Sequence, residues 1–279
     1  MLKYLKLKRR LPVLKLLLIS IVLLTQSVFA TTYYAKVEPY KLQNIASNVV
    51  GEVLFVDENM LGKKLTDKDF ITIDTKLEEA ELHDVEQKIA ALEQNILINQ
   101  KILENVAEVL KRKRANYKKT EALTIKSRID KDREFYDLIT SQNSYYATQK
   151  EINSLKNSLA DLHFRQEQLQ KSIADRHIEA KGFVLYSLGV AEGEVVTVGK
   201  PLAVVADCSK ALLSIYVDAQ ELSNIEKKRI YIDEQPTAYR IDRIIPIADS
   251  VNISKYKIQI IIKAPKIFSK LVKVELREE

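Results

Sequence analysis

The sequence predicts an α+β protein: a small β domain made of two halves, split by a long antiparallel helical hairpin, with a second small β domain after it. Three observations carry this. All six glycines fall in two windows, Gly51 and Gly62, then Gly182, Gly189, Gly193 and Gly199, so residues 63–181 hold neither glycine nor proline over 119 positions. A breaker-free run of that length is expected of long helix. Within it, apolar residues recur at helical spacing in two phases. The segments on either side resemble each other at a constant offset of 131 residues.

The first thirty residues read as an address. Lys3, Lys6, Lys8, Arg9, Arg10 and Lys15 stand there with no acid, Leu16–Leu24 is apolar apart from Ser20, and Ser27-Val28-Phe29-Ala30 offers small residues for cleavage after Ala30. This is the three-part pattern of a secretory signal peptide. The apolar run is shorter than the roughly 20 residues of a comfortable span, and an uncleaved N-terminal anchor is the alternative. Thr31, not a cysteine, stands directly after Ala30, so a lipid-anchored mature N-terminus is not expected. The mature protein is expected in the periplasm. The net charge of +6 is carried by this segment alone, because 38 basic and 38 acidic residues follow it. Bulk charge therefore gives no support to a nucleic-acid-binding domain. The one cysteine, Cys208, excludes an internal disulfide and reads as a small buried apolar residue after a strand.

The β halves come next. Gly51-x-Val53 is followed by Gly62-x-x-Leu65, Ile71 and Ile73; Gly182-x-Val184 is followed by Gly193-x-x-Val196, Leu202 and Val204. Leu54 and Phe55 correspond to Leu185 and Tyr186. Alternating apolar residues between glycine turns make each half a set of short strands, with Gly51, Gly62, Gly182, Gly193 and Gly199 as the turn residues. The ends of an antiparallel hairpin are adjacent, so the halves close into one domain.

Between them lie two heptad seams. Leu82, Val85, Ile89, Leu92, Ile96, Asn99, Leu103, Val106 and Leu110 alternate steps of three and four, with one polar interruption at Asn99. The second seam is Leu138, Ser141, Tyr145, Thr148, Ile152, Leu155, Leu159, Leu162, Gln166, Leu169 and Ile173. Asp74 or Thr75 suits the N-cap of the first helix. Two arms of roughly 45 residues are each about 65 Å long. The periodicity fails near Thr120–Asp130, where a turn is expected; a continuous dimerising rod is the alternative.

After Cys208, Ala211–Val217 alternates as a strand. Asp218–Ile225 reads as a short helix capped by Asp218. Arg229–Ile232, Ala238–Ile245, Tyr256–Lys263 and Lys270–Leu276 are strand candidates, separated by Pro236, Pro246 and Pro265. Thr31–Glu38 could pair with the last strand. The expected division is residues 1–30 signal peptide, 31–74 first half-domain, 75–177 hairpin with its tip at about 116–130, 178–208 second half-domain and 209–279 C-terminal β domain.

Two segments carry a family resemblance. Ile45-Ala46-Ser47-Asn48-Val49-Val50-Gly51-Glu52-Val53 keeps the spacing Ile-x-Ala-Pro-x-x-Gly-x-Val, with Ser for Ala and Asn for Pro. Gly193-Glu194-x-Val196-x-x-Gly199-x-Pro201-Leu202 is a closer match to a second half-motif, although Ile178-Glu179-Ala180-Lys181 before it lacks the Pro. In these, and in their order around a heptad hairpin, residues 35–279 resemble the periplasmic adaptors, or HlyD-like membrane fusion proteins, of tripartite efflux and secretion systems. The resemblance implies a lipoyl-like domain split by a coiled-coil hairpin, then a β-barrel, with a membrane-proximal domain absent or vestigial. It implies an adaptor that links an inner-membrane transporter to a TolC-type outer-membrane channel for efflux of small molecules. The transporter is expected to be of the resistance-nodulation-division (RND) type first and the ABC type second. Copies would assemble into a ring, expected to be a hexamer. A periplasmic coiled-coil scaffold or chaperone is the alternative function. Asp67-Lys68-Asp69 is similar to the Asp-Lys of a lipoyl carrier, but Lys68 lies inside the first half, away from the junction where a carrier lysine sits. A covalent cofactor is not expected.

No catalytic constellation is visible, and an enzyme is not expected. His83, His163 and His177 are scattered, and Met1 and Met60 are the only methionines, which disfavours a soft-metal site. Gly193–Lys200 has the wrong spacing for a phosphate loop and is followed by Pro201. The charge pattern gives the positive clue. Residues 111–134 hold ten basic and four acidic residues, so the expected tip is +6. In the resembled family the tip meets the channel through Arg-x3-Leu-x6-Ser. One register here, Lys119/Leu123/Asp130, keeps the Leu; another, Asn116/Thr120/Ser127, keeps the Ser. These six residues are the channel-contact candidates; no catalytic, cofactor-binding or metal residues are expected.

Overall fold

The computed structural model describes residues 31–248 and 254–278, so the expected signal peptide lies outside the described residues. In chain order, β1 (Thr31–Ala46), β2 (Gly51–Val56) and β3 (Ile71–Ile73) precede the helices α1 (Lys76–Ala122) and α2 (Arg128–Ala174). Then come β4 (His177–Ile178), β5 (Val184–Leu188), β6 (Val195–Val196) and β7 (Pro201–Asp218). β8 (Arg229–Ile232), β9 (Gln235–Pro236), β10 (Ile241–Ala248), β11 (Lys255–Lys263) and β12 (Leu271–Arg277) complete the chain. Two compact units result. One takes the chain up to Gln43, Gly182–Tyr186 and everything from Val204; the other takes Asn44–Lys181 and Ser187–Ala203. The expected first half-domain is thus divided, with residues up to Gln43 falling in the strand-rich unit.

In that unit the sheet runs β10-β11-β7-β1-β12-β8-β9. Period-2 alternation dictates its core. Ala211, Leu213, Ile215 and Val217 of β7 meet Ala35 and Val37 of β1, Ile258 and Ile260 of β11, and Val272, Val274 and Leu276 of β12, all buried. The pairing expected of the first described residues holds: Thr31 opposes Leu276 and Lys36 opposes Leu271, antiparallel. Pro236, which lacks an N–H for the ladder, sits on β9 at the sheet edge. The helix expected over Asp218–Ile225 does not form. Two single 3-10 turns, Ala219–Glu221 and Ile225–Lys227, stand there, because Asn224 adopts a left-handed backbone (φ 67°) and the Asp218 side chain makes no capping bond.

The second unit joins the two half-motifs. A four-stranded sheet in the order β4-β3-β2-β6 interleaves first-half and second-half strands. The loops are stitched likewise: Gly193 N–H donates to Val53 O (2.8 Å), Val53 N–H to Glu194 O (2.9 Å), Ser47 N–H to Lys200 O (2.9 Å) and Gly199 N–H to Ser47 O (2.8 Å). The repeat is faithful in its second part, where Leu65 and Val196, then Ile71 and Leu202, are buried. It slips at its start, since Leu54 is 40% exposed whereas Leu185 is fully buried. Gly62, Gly182, Gly193 and Gly199 have φ between +73° and +92°. Gly51 is not a turn residue. It opens β2 outside the positive-φ region, and a Cβ there would lie 2.6 Å from Ile73 Cγ2, so close approach excludes a side chain. Gly193→Ala, by contrast, meets no atom within 4 Å and is strained only by its φ of +81°. It should lower stability by about 1–2 kcal/mol, read as an earlier urea midpoint with an unchanged m-value.

Every seam position of both helices is buried or half-buried, and the intervening positions are mostly exposed. Val85, Ile89 and Leu169 form a buried cluster between the helices, with Leu82, Leu159 and Leu162 packed against it. Asn99, the polar seam residue, donates to Asn95 O of its own helix (3.0 Å). Arg165 pairs with Glu81 (2.8 Å) and Lys113 with Asp137 (2.7 Å), which fixes the arms as antiparallel. Each 47-residue helix is about 70 Å long. At the hairpin base the buried Arg176 guanidinium donates to Asp74 O (2.7 Å), Val50 O (3.3 Å) and Ser172 Oγ (3.2 Å), and pairs with Glu78. Asp74 and Thr75 share the start of α1: the Asp74 carboxylate accepts from Lys76 N–H, and the Thr75 hydroxyl donates to Glu79.

Candidate functional site

The far end of the hairpin is the turn between the helices. α1 ends at Ala122; Leu123 is extended (φ −82°, ψ 122°) and its N–H donates to Thr120 O at 3.2 Å. α2 begins at Arg128, capped by Ser127, whose Oγ accepts from Asp130 N–H (3.2 Å) and donates to Asp130 Oδ2 (2.7 Å). That hydroxyl holds the Asp130 carboxyl below the ordinary carboxylate range, helped by Lys126 and Arg133. Lys131 Nζ donates across the turn to Glu121 O (3.0 Å). One step down the arms, Tyr117 and Phe135 meet with ring centroids 5.8 Å apart, and Phe135 meets Tyr136 edge-on at 5.9 Å. The Asp137 carboxylate beside Lys113 raises the ammonium above its usual range. The turn is therefore a tied structure on a stiff stalk.

The six candidates divide by role. Thr120, Ser127 and Asp130 hold the turn together through the bonds just described. Asn116 and Lys119 are exposed on the last turns of α1, and Leu123 is 46% exposed at its C-cap. Two residues absent from the candidates stand out: Ile125 at 89% and Ile129 at 74% exposure. With Leu123 they form an apolar crown. Among the described residues Lys118, Lys119 and Arg128, which flank it, have no ion-pair partner, and Lys126 stands next to Ile125 in the chain. The signal for both isoleucines was in the sequence, because they are apolar residues outside either seam in an otherwise polar stretch.

Among the described residues no group of three or more His, Cys, Asp or Glu side chains could hold a metal, and no helix is long and apolar enough to cross a membrane. Lys68 is exposed; its neighbours Asp67 and Asp69 face Lys181 (3.5 Å) and His177 (2.6 Å).

A paired-helix stalk inserted between two halves of one β sheet, in a chain that also carries a strand-rich unit, defines a class. No family model and no curated protein matches the sequence. Solved structures do match. MacA from Actinobacillus actinomycetemcomitans aligns with a TM-score of 0.70 at 14% identity, over 89% of this chain and 78% of that one. The membrane fusion protein Spr0693 from Streptococcus pneumoniae R6 aligns at 0.62 and 10% identity, over 89% and 99%. A MacA–MexA chimera carrying the Pseudomonas aeruginosa MexA α-hairpin domain gives 0.56 at 14% identity, over 90% and 81%. The chain has the membrane fusion protein fold, the fold that the two half-motifs implied. At these identities the likeness is one of architecture.

Proposed function

We propose that the protein is a periplasmic adaptor, linking an inner-membrane transporter to an outer-membrane channel so that small molecules leave the cell without release into the periplasm. The observation that carries this reading is the tied, apolar and cationic turn at the end of a stiff hairpin in a membrane fusion protein fold. The role is organisational. The hairpin presents the turn to the channel, the β units contact the transporter, and several copies, six in the simplest ring, surround the conduit. The transporter is of the RND or the ABC class.

Single cysteines at Asn116, Lys119 and Ser127, cross-linked in intact cells, test the reading. The native Cys208 is first replaced by serine. An adduct with an outer-membrane channel protein is expected from each tip position and not from Lys150, midway down α2. Adducts absent from all three tip positions, with the protein present at normal level, would remove the channel as partner.

A further inference from the structure

The hairpin is stiff in two lengths, and a softer layer joins them. Toward the base, Val85, Ile89 and Leu169 are buried together, and Ile96 and Ile152 continue the buried seam. Toward the turn, Leu110 is buried, Lys113 pairs with Asp137, and Tyr117 packs on Phe135. Between these two clasps the core lapses. α1 has no buried residue from Leu97 to Val109, and α2 has none before Ile152. The pairs Arg165–Glu81 and Lys113–Asp137 set the register of the arms, which puts Asn99 at the level of Thr148. Among the described residues no hydrogen bond or ion pair joins the arms between Ile96 and Lys113.

The cause is in the seam itself. Where a heptad seam wants large apolar side chains, α1 supplies Asn99 and α2 supplies Ser141 and Thr148. These are too short to fill the space between the arms. An open groove of about 270 Å³ results, lined by Asn105, Val106, Val109, Thr140, Ser141 and Ser144. The polar side chains turn back on their own helices. Thr140 donates to Tyr136 O (2.8 Å), Ser144 to Thr140 O (3.0 Å), Thr148 to Ser144 O (3.1 Å) and Asn99 to Asn95 O (3.0 Å). Bonds of this kind satisfy a hydroxyl without help from the partner arm, and they soften and bend a helix. The groove is polar and roomy enough for water, which competes for the backbone bonds beside it. We propose that this layer is a flexure, on which the segment from Leu110 through the turn to Leu138 swings as one body. Ala122 ends α1 about 18 Å beyond Leu110, so a bend of about 20° there moves the turn about 6 Å. The tied turn keeps its shape while its position adjusts. The use of that freedom in meeting a channel rests on the adaptor reading; the flexure itself belongs to the hairpin alone.

Hydrogen exchange of the full protein, read by mass spectrometry, tests this. A hairpin without a flexure frays from its free end, so exchange rises steadily toward the turn. A flexure gives a maximum in the middle. Amides of Leu103–Val109 and Ser141–Thr148 are expected to exchange about thirty-fold faster than those of Ile89–Ile96 and also faster than those of Lys111–Tyr117. Ser141→Leu with Thr148→Leu, which fills the seam, should slow the middle at least about ten-fold and leave both clasps unchanged. Asn143→Leu with Lys150→Leu adds the same apolar groups at exposed positions and should change the middle less than about two-fold. A native profile that rises steadily to the turn, or a middle protected as well as Ile89–Ile96, overturns the flexure whatever the variants do. Equal slowing by both variants also overturns it, because helix propensity and not the seam then sets the exchange. The measurement uses the isolated protein, so its failure is separate from a failure of the channel cross-links.

Discussion

Arg176→Ala is expected to destabilise the unit that carries the hairpin by about 3 kcal/mol or more, the largest single-residue effect foreseen in this chain. The guanidinium is buried and satisfies two backbone carbonyls, a serine hydroxyl and the Glu78 carboxylate, all at the junction where α2 returns to the β halves. Truncation leaves Glu78 charged and mostly buried without its partner, the costly direction for a buried pair. It also orphans Asp74 O and Val50 O, at about 1 kcal/mol or more each if water cannot reach them. Urea unfolding followed by helical ellipticity measures the loss. Arg176→Met with Glu78→Leu removes the charge on both sides and should recover most of it, since replacing both partners of a buried pair by apolar groups is often close to neutral. If the double variant is as unstable as the single one, the carbonyl contacts, and not the ion pair, set the cost. Hydrogen exchange at β4 and at the last turn of α2 should rise most, because these segments hold Arg176 in place.

Periodicity made the hairpin and its seams legible, because burial in paired helices follows residue spacing and little else. The strand domain was legible as alternation, down to the pairing of Thr31 with the last strand. Short-range conformation was less so. Asp218–Ile225 has a helix-like pattern of polar and apolar residues, but a left-handed Asn224 divides it, a backbone choice that nothing in the spacing announces. Gly51 looked like a turn because its repeat partner Gly182 is one; the structure gives it to Ile73 instead. Arg176 could not be singled out either, because its partners at Val50, Asp74 and Glu78 are about 100 residues or more away in sequence. At the tip, matching a family pattern selected three residues that hold the turn, Thr120, Ser127 and Asp130, and three exposed ones, Asn116, Lys119 and Leu123, whereas plain exposure of apolar side chains adds Ile125 and Ile129. A motif reports what relatives use, and an exposed isoleucine reports an unsatisfied surface in this chain.

That difference sets the second large expectation. Ile125→Ser with Ile129→Ser should leave the fold intact, since both side chains are exposed and neither joins the seam, and should weaken engagement of the tip's partner about a hundred-fold. Burying an isoleucine contributes about 1.5–3 kcal/mol, so losing two removes about 3 kcal/mol even with incomplete burial. Charge reversal at Lys118 and Lys119 acts on a solvated rim instead. It should slow association several-fold at low salt and matter little once the screening length falls below 10 Å. Cross-linking yield from a cysteine at Asn116, read in cells against the level of folded protein, compares the two variants directly. A silent isoleucine pair beside a disabling lysine pair would make the contact electrostatic and the crown incidental. Loss with the isoleucines and tolerance of the lysine change would mean that the receiving surface is an apolar notch, with the ten tip cations serving to find an acidic neighbourhood and the isoleucines serving to stay.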